Sequence, residues 1–298
     1  MIKRKFGWTD VQLPIIGQGT WLIEDNSGGG GQYRRNDTQL AVKALQLGLE
    51  LGMTHIDTAE MYGNGRAEEL VGEAIAGRRT EVFLVSKVLP SNASYEGTIK
   101  SCRQSLKRLK TDYLDLYLLH WPSGSHSIGE TMRAMEKLVS EGLVRYIGVS
   151  NFGVEELKEA EKAMRNERIA CNQVLHHLGY RGIENSILPY CAKQEIAVVG
   201  YSPFGHNGSL FSSSSQGNNK RRMLEEIARR HGKTPRQVVL NFLTSVHPAN
   251  IFTIPKTSNP NHVRENSESV GWDLARDEIA SINEAFPVPD HDGPLEMI

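Results

Sequence analysis

Cysteine is scarce in this sequence, which has only three in 298 residues. Cys102, Cys171 and Cys191 lie far apart, and no Cys-x-x-Cys pair occurs. An odd, widely spaced set fits neither a disulfide framework nor a zinc quartet. We therefore interpret the three as reduced core residues of a cytoplasmic protein.

The sequence also lacks a charge excess and a long apolar run. Lys and Arg number 34 against 35 Asp and Glu, so no field of one sign favours nucleic acid or a membrane surface as a partner. No run of about 18 apolar residues is present to span a bilayer. Polar residues and Pro14 interrupt the stretch after the basic start, which argues against a signal peptide. The expected partner is a small molecule.

Short apolar runs alternate with segments that have apolar residues at helical spacing. The runs have no polar face, which is typical of parallel strands covered by helices. After a hairpin predicted over residues 6–13, the predicted strands end at or near residues 21, 56, 87, 120, 151, 173, 201 and 256. Helices are predicted at about 40–51, 67–75, 94–109, 128–141, 154–164, 185–194, 220–231 and 235–246, with a short helix from Pro260.

Eight such units predict an α/β fold, a (β/α)8 TIM barrel, as one domain over residues 1–298. The N-terminal β-hairpin is expected to close the bottom of the barrel. Residues 24–37, which include four consecutive glycines, are expected to form a polar, flexible insertion rather than a linker, because the alternation resumes at once.

The active site of such a barrel lies at the C-terminal ends of its strands. Polar or aromatic residues end the predicted strands, namely Trp21, Asp57, Lys87, His120, Asn151, Gln173, Tyr201 and Lys256. Each one alone could be a solvated loop residue. Together they indicate a pocket rich in hydrogen-bond donors and charge.

Four side chains fit an assembled proton donor. Tyr62 follows five residues after Asp57. A tyrosine hydroxyl has a pKa of about 10 in water, so a tyrosine that donates a proton at neutral pH needs a cation to stabilise its phenolate. Lys87 supplies that cation if the neighbouring strands are parallel, and His120 ends the next strand. We expect the four side chains to converge.

Longer motifs around these positions resemble those of the aldo-keto reductases over nearly the whole chain. They span residues 17–21, 57–62, 84–87, 118–122, 148–152, 171–173, 200–203 and 254–257. The resemblance implies hydride transfer from a reduced nicotinamide cofactor to a carbonyl, an aldehyde or in some cases a ketone, without a metal. Within the family, the chain looks closest to bacterial members that reduce small aldehydes, including methylglyoxal.

By this resemblance Asp57, Tyr62, Lys87 and His120 form the catalytic tetrad. Negative charge grows on the carbonyl oxygen as hydride arrives, so donors aimed at that oxygen stabilise the transition state. Tyr62 is expected to supply the proton and His120 an orienting hydrogen bond. Lys87 is expected to lower the pKa of Tyr62, and Asp57 to pair with Lys87 and offset the cost of burying its charge.

The resemblance also implies the cofactor contacts. Tyr201 offers a flat face to the nicotinamide, Ser150, Asn151 and Gln173 can bond its carboxamide, and the loop from Ser202 can hold pyrophosphate through backbone N–H groups. The full expected set is Gly19, Thr20, Trp21, Asp57, Ser150, Asn151, Gln173, Tyr201, Ser202, Phe204, Gly205, Lys256, Thr257, His262 and Asn266.

Cofactor preference depends on the segment after Lys256. Lys256, Thr257 and Asn266 match the family's site for adenosine 2′-phosphate, but His262 stands where many members have arginine. A neutral histidine holds a phosphate less well than arginine does, so we expect NADPH to be preferred and NADH to be tolerated.

Residues 207–219 could form either a disordered surface loop or a belt that closes over the cofactor.

Substrate contacts are expected from an aromatic wall beside the tetrad. Its members are Trp21, Met61, Tyr62, His120 and Trp121, although Met61 could instead serve structural packing. The tail after Phe286 is short compared with the long C-terminal loops of some relatives, which suggests an open mouth and loose selectivity.

Two other functions stay open on the sequence alone. One is a Schiff-base lyase that uses Lys87 or Lys256 on the same barrel. The other is a regulatory protein that binds the cofactor as a sensor.

Adjacent His176 and His177 lack a second ligand set at metal spacing, so no metal site is expected. No long exposed apolar stripe is evident, and we expect a monomer.

Overall fold

The computed structural model describes residues 1–23, 35–122, 124–211, 215–245, 251–290 and 295–297. It contains an antiparallel hairpin of β1 (Lys3–Lys5) and β2 (Gln12–Pro14), followed by eight parallel strands. The parallel strands are β3 (Gln18–Gly19), β4 (His55–Asp57), β5 (Phe83–Val88), β6 (Leu114–Leu119), β7 (Val144–Ser150), β8 (Ile169–Leu175), β9 (Ala197–Tyr201) and β10 (Ile251–Thr253). Their order in the sheet is that of the sequence.

Helices on the outside cover the sheet. They are α1 (Arg35–Glu50), α2 (Arg66–Ala74), α3 (Tyr95–Leu109), α4 (Ile128–Ser140), α5 (Val154–Ala163), α6 (Ile187–Lys193), α7 (Ser215–His231), α8 (Pro235–Ser245), α9 (Pro260–Ser267) and α10 (Arg276–Ala285). The helix α10 was not predicted. The helix α7 begins five residues before the predicted start, so the expected loop over 207–219 is largely helical, with a 3₁₀ turn at His206–Phe211. The middle of that segment, 212–214, lies outside the described residues.

Backbone bonds between the first and last parallel strands close the barrel. Gly17 N donates to the carbonyl of Thr253, and Gly19 N donates to that of Pro255, at 2.8 and 3.2 Å. A Cβ atom on Gly19 would lie 2.5 Å from the carbonyl oxygen of Ile254. The seam therefore requires glycine, because a side chain at this position would prevent the close approach of the two backbones. The barrel fold predicted from the sequence is confirmed.

The hairpin covers one end of the barrel, as predicted, but its strands lie outside the predicted range. They pair Lys3 with Pro14 and Lys5 with Gln12, whereas residues 6–13 were expected to contain both strands. Phe6 instead inserts its ring into the barrel, fully buried, against the rings of Phe83 and Phe252 at 5.3 and 5.2 Å. The ring of Phe6 therefore anchors the hairpin to the end of the barrel. The burial of Phe6 also explains why the apolar pattern there resembled a strand.

Two other expectations concern the chain's surface and core. Most of the predicted insertion, residues 24–34, lies outside the described residues, while 35–37 begin α1. All three cysteines are buried and unpaired. In the described part of the chain, no helix combines the length and apolar character needed to cross a bilayer.

Candidate active site

A cleft of about 780 Å³ opens at the C-terminal ends of the parallel strands. Its wall includes most of the residues expected from the sequence, namely Gly19, Thr20, Trp21, Asp57, Met61, Tyr62, His120, Trp121, Ser150, Asn151, Gln173, Tyr201, Ser202, Phe204, Gly205, Lys256 and His262. Lys87, Thr257 and Asn266 are absent from this wall. The cleft therefore lies where the residues at the strand ends predicted it.

An ion pair between Lys87 and Asp57 lies beneath the cleft. Lys87 Nζ is 2.6 Å from Asp57 Oδ1, and it also donates to the carbonyl of Thr58 at 2.9 Å and to the hydroxyl of Tyr62 at 3.1 Å. Lys87 is fully buried and Asp57 is 1% exposed. Burial by itself lowers the pKa of Lys87, but the Asp57 carboxylate and the Tyr62 hydroxyl together raise that pKa above its ordinary value. The lysine is therefore an ammonium at neutral pH.

The loop after β4 places Tyr62 over this ion pair. The chain turns through a 3₁₀ segment from Tyr62 to Gly65, with left-handed backbone at Gly63 (φ 55°) and Gly65 (φ 88°). Glu60 ties the loop to the next one, because its Oε1 accepts from Leu89 N at 2.7 Å and from Asn92 Nδ2 at 3.0 Å. Two loops from neighbouring strands are thereby fixed together beneath the tyrosine.

His120 lies beside Tyr62 and completes the cluster. The centres of the two rings are 5.7 Å apart in an edge-on arrangement, and both residues line the cleft. Burial, together with the nearby charge of Lys87, lowers the pKa of His120 to about 2. Its Nδ1 atom is buried without a partner in the described chain. His120 is therefore a neutral imidazole, with a single N–H to donate.

Amide side chains organise the adjoining part of the cleft. Asn151 donates to the carbonyl of His120 at 3.0 Å and to Ser150 Oγ at 3.2 Å, and its Oδ1 accepts from the hydroxyl of Tyr201 at 2.9 Å. Gln173 Nε2 donates to Asp57 Oδ2 at 2.8 Å. Gln173 does not end its strand as expected, since β8 continues to Leu175. It reaches the site because its side chain points into the barrel next to Asp57.

A second cavity of about 530 Å³ adjoins Lys256. Lys256, Thr257 and Ser258 line it together with the start of α9 and Leu40. Thr257 is thus close to Lys256 but faces this side pocket, and Asn266 is buried in α9 at 4% exposure. The hydroxyl of Ser258 is buried without a hydrogen-bond partner among the described residues.

The loop after β9 forms part of the cleft wall. Ser202 has a φ of 50° and Gly205 one of 76°. Gly205 N donates to the carbonyl of Ser202 at 2.9 Å, and Gly208 N donates to that of Gly205 at 3.1 Å. These two N–H groups therefore hold the loop's own turns, although sequence reasoning assigned the N–H groups of this loop to pyrophosphate.

Six residues of the cleft wall were not predicted from the sequence. They are Leu22, Pro203, Gly208, Arg236, Ile254 and Met297. The tail was expected to leave the mouth open, but Met297 reaches the wall, and Glu296 N is anchored on the hydroxyl of Tyr180 at 2.8 Å. Among the described residues, no cluster of three His, Cys, Asp or Glu side chains is arranged to hold a metal ion.

The chain resembles known proteins along its whole length. Residues 15–286 match the model of the Aldo/keto reductase family. The chain is 43% identical over 289 residues to methylglyoxal reductase YeaE of Escherichia coli (strain K12), covering 97% of this chain and 96% of that protein. It is 33% identical to glyoxal reductase of Bacillus subtilis (strain 168) over 276 residues, 92% of this chain and 89% of that protein.

A solved structure agrees with these sequence matches. The crystal structure of an aldo-keto reductase from Klebsiella pneumoniae in complex with NADPH superposes with a TM-score of 0.88 at 38% identity, and the match covers 100% of both chains. The fold, the cleft at the strand ends and these matches agree. The chain therefore belongs to the aldo/keto reductase family and is an oxidoreductase.

Proposed function

We propose that this protein reduces small aldehydes, and some ketones, to alcohols with NADPH, and that Tyr62 is the proton donor. One observation carries the proposal: the ammonium of Lys87 contacts both Asp57 and the hydroxyl of Tyr62 at the floor of the cleft. A cation held at this hydroxyl favours the phenolate over the phenol, which is what a tyrosine acid requires.

The residues at the two ends of the cleft suit the two ends of a dinucleotide. The hydrogen bond from Tyr201 to Asn151 fixes a flat ring beside the amide of Gln173, where a nicotinamide ring and its carboxamide fit. In the adjoining second cavity, Lys256 and the hydroxyl of Ser258, which has no partner among the described residues, suit a phosphate. When bound, NADPH supplies the hydride.

The tetrad residues act on the carbonyl oxygen. Charge that develops on this oxygen is stabilised by donors already in place, so no reorganisation is needed during the reaction. Tyr62 transfers its proton to the oxygen, and Lys87 stabilises the phenolate left behind. Asp57 and the carbonyl of Thr58 hold the ammonium in position, and Gln173 holds the other oxygen of Asp57.

His120 orients the substrate as a neutral donor. Since its pKa is about 2, it stays uncharged across the physiological pH range and cannot compete with Tyr62 as a cationic acid. The single N–H of the neutral ring can donate to the same carbonyl oxygen, because the two rings are neighbours in the cleft wall.

The substrate class follows from the wall beside the tetrad and from the relatives. Trp21, Met61 and Trp121 give an apolar, aromatic surface next to Tyr62, which suits a small carbonyl compound with little charge. Two of the similar proteins are named for the reduction of methylglyoxal and glyoxal. We therefore propose α-oxoaldehydes such as methylglyoxal as substrates.

A lyase that uses Lys87 is disfavoured by the position of this lysine. A Schiff-base lysine must reach the substrate as a free amine. Lys87 is fully buried, and its ammonium donates to Asp57, Thr58 and Tyr62. All three of its N–H groups are therefore engaged within the protein.

The test is oxidation of NADPH by the purified protein, measured as the loss of NADPH absorbance. The carbonyl compounds tested are methylglyoxal, glyoxal, other aldehydes and ketones. We expect turnover with small aldehydes, and a higher Michaelis constant for NADH than for NADPH. Binding of NADPH without turnover of any carbonyl would instead indicate the sensor function.

Two further proposals concern the state of the protein. We propose a monomer, because the large apolar side chains that are exposed in the described residues are few, Met1, Ile2, Leu22, Leu40 and Met297. We propose a cytoplasmic location, because Cys102, Cys171 and Cys191 are unpaired. Light scattering and cell fractionation test the two proposals.

A further inference from the structure

Arg236 is a cation in the cleft that neither the tetrad nor the family motifs explain. It is the second residue of α8 and lines the same cleft as Lys256 and His262. Its guanidinium carbon lies 4.7 Å from the ring centre of Phe204 and 4.9 Å from that of Phe211. Two aromatic rings therefore hold the guanidinium at the cleft wall.

The guanidinium has no acceptor within the described protein. None of the described carboxylates lies within 4.0 Å of it, and it donates no hydrogen bond to any described residue. Burial lowers the pKa of Arg236, and the more distant carboxylate of Glu265 offsets only part of this effect. The cation also lies at the positive N-terminal end of α8, which disfavours it further.

Among the described residues, the two rings and the more distant carboxylate of Glu265 offset these costs only in part. Arginine carries five N–H donors in a planar fork that matches phosphate oxygens, and buried cations are normally paired. A half-buried guanidinium at a cleft wall with unused donors is therefore suited to an anionic ligand. In the adjacent loop, the N–H groups of Gly205 and Gly208 donate to backbone carbonyls of the same loop. A phosphate bound there would therefore need side-chain donors in place of these two N–H groups.

We propose that Arg236 binds a phosphate group of the dinucleotide cofactor and contributes to cofactor affinity in this protein. This inference rests on the proposed NADPH-dependent function. The phosphate belongs either to the pyrophosphate, which NADH and NADPH share, or to the 2′-phosphate, which only NADPH has. Arg236 is thus a cofactor-binding residue supplied by α8, outside the motif at 254–257.

The experiment measures the dissociation constants of NADPH and NADH by quenching of protein fluorescence for the wild type, Arg236→Gln and Arg236→Lys. Arg276→Gln is the matched control, because Arg276 is an exposed arginine in the first turn of α10 and lies outside the cleft wall. Titrations at low and high salt, and thermal unfolding of each protein without nucleotide, accompany the measurements.

We expect Arg236→Gln to weaken NADPH binding roughly 10- to 100-fold, as for the loss of a charge-assisted hydrogen bond. Arg236→Lys is expected to retain part of the affinity, since it keeps the charge but not the fork. Equal weakening of NADH places Arg236 at the pyrophosphate, and weakening of NADPH alone places it at the 2′-phosphate. The salt dependence of binding should fall in Arg236→Gln, a change that a purely structural role does not produce.

The inference and the proposed function fail in different ways. If the wild type binds neither nucleotide, both are overturned. If the wild type binds NADPH and both Arg236 variants bind it within twofold of the wild type, only the role of Arg236 is overturned. Equal weakening in Arg236→Gln and in the Arg276→Gln control also overturns that role.

Discussion

Lys87 and His55 are both fully buried titratable side chains on neighbouring parallel strands, yet they lie towards opposite ends of the barrel. Lys87 has a carboxylate, a carbonyl and a hydroxyl as partners. Both ring nitrogens of His55 lack a partner in the described chain, and its ring packs edge-on against Phe6 and Phe83 at 6.3 and 5.8 Å.

The pKa of Lys87 is raised, which favours its charged form, whereas the pKa of His55 is lowered, which favours its neutral form. Asp57 raises the pKa of Lys87 despite its burial, so its charge is kept. Burial lowers the pKa of His55 to about 4, and the attraction of Asp57 does not reverse this. A buried side chain without partners, such as His55, therefore stays neutral. A buried side chain with hydrogen-bonding and charged partners, such as Lys87, keeps its charge next to the cleft.

The largest expected effect comes from removing the lysine's charge while its partner remains. Lys87→Met leaves the carboxylate of Asp57 buried beside Gln173 without a cation, and we expect the free energy of unfolding to fall by about 3–5 kcal/mol. Urea denaturation of the single variant and of the double variant Asp57→Asn/Lys87→Met measures this.

The double variant is the control, because it removes both charges. It should recover part of the lost stability but none of the turnover. Equal stability of Lys87→Met and the wild type would contradict the view that Asp57 and Lys87 depend on each other.

The second effect concerns chemistry rather than stability. Tyr62→Phe removes the hydroxyl that Lys87 contacts, and we expect turnover of methylglyoxal to fall at least about 100-fold, the lower range for a positioned acid. The dissociation constant of NADPH should change little, because the ring remains. Steady-state kinetics and cofactor binding check this, and near wild-type turnover would reject Tyr62 as the proton donor.

The smallest effect lies at the closed end of the barrel. The pKa of His55 is lower in the folded protein than the usual value of about 6.5 in an unfolded chain. As pH falls below 6.5 the unfolded chain takes up the proton first, so the stability present above 6.5 is lost as pH falls towards about 4. This group contributes a slope of about 1.4 kcal/mol per pH unit at most.

We therefore expect His55→Leu to lose about 1.5 kcal/mol less free energy of unfolding than the wild type between pH 6.5 and pH 5. Turnover at pH 7 should be close to that of the wild type, because His55 lies away from the cleft wall. Urea denaturation at several pH values measures the difference. Parallel stability curves for the two proteins would show that His55 is not held neutral.

The features that the sequence predicts correctly have a local or repeated pattern. The apolar runs fixed the number of strands, and the parallel arrangement then required Asp57 and Lys87 to emerge at one end of the sheet. Tyr62 could be placed because it follows Asp57 by only five residues. The helix predicted from residue 235 matches the start of α8, where the hydroxyl of Thr234 accepts from Gln237 N at 3.3 Å.

Features that depend on distant packing were not visible in the sequence. Arg236 belongs to an exterior helix, and only the stacking on Phe204 and Phe211 directs it to the cleft. Met297 reaches the wall because Tyr180 anchors the residue before it. Phe6 looked like part of a strand, and only the barrel interior explains why its ring is buried.

The sequence by itself determined the eight strand–helix units and the residues that end the strands, because periodicity and chain direction act over short distances. The tertiary structure decided which of those residues keep a charge and which stay neutral, and it placed Arg236 in the cleft wall without an acceptor among the described residues. Those properties depend on burial and on neighbours far apart in the sequence, such as Gln173 on Asp57, 116 residues away. The electrostatics of the site are therefore a property of the folded barrel.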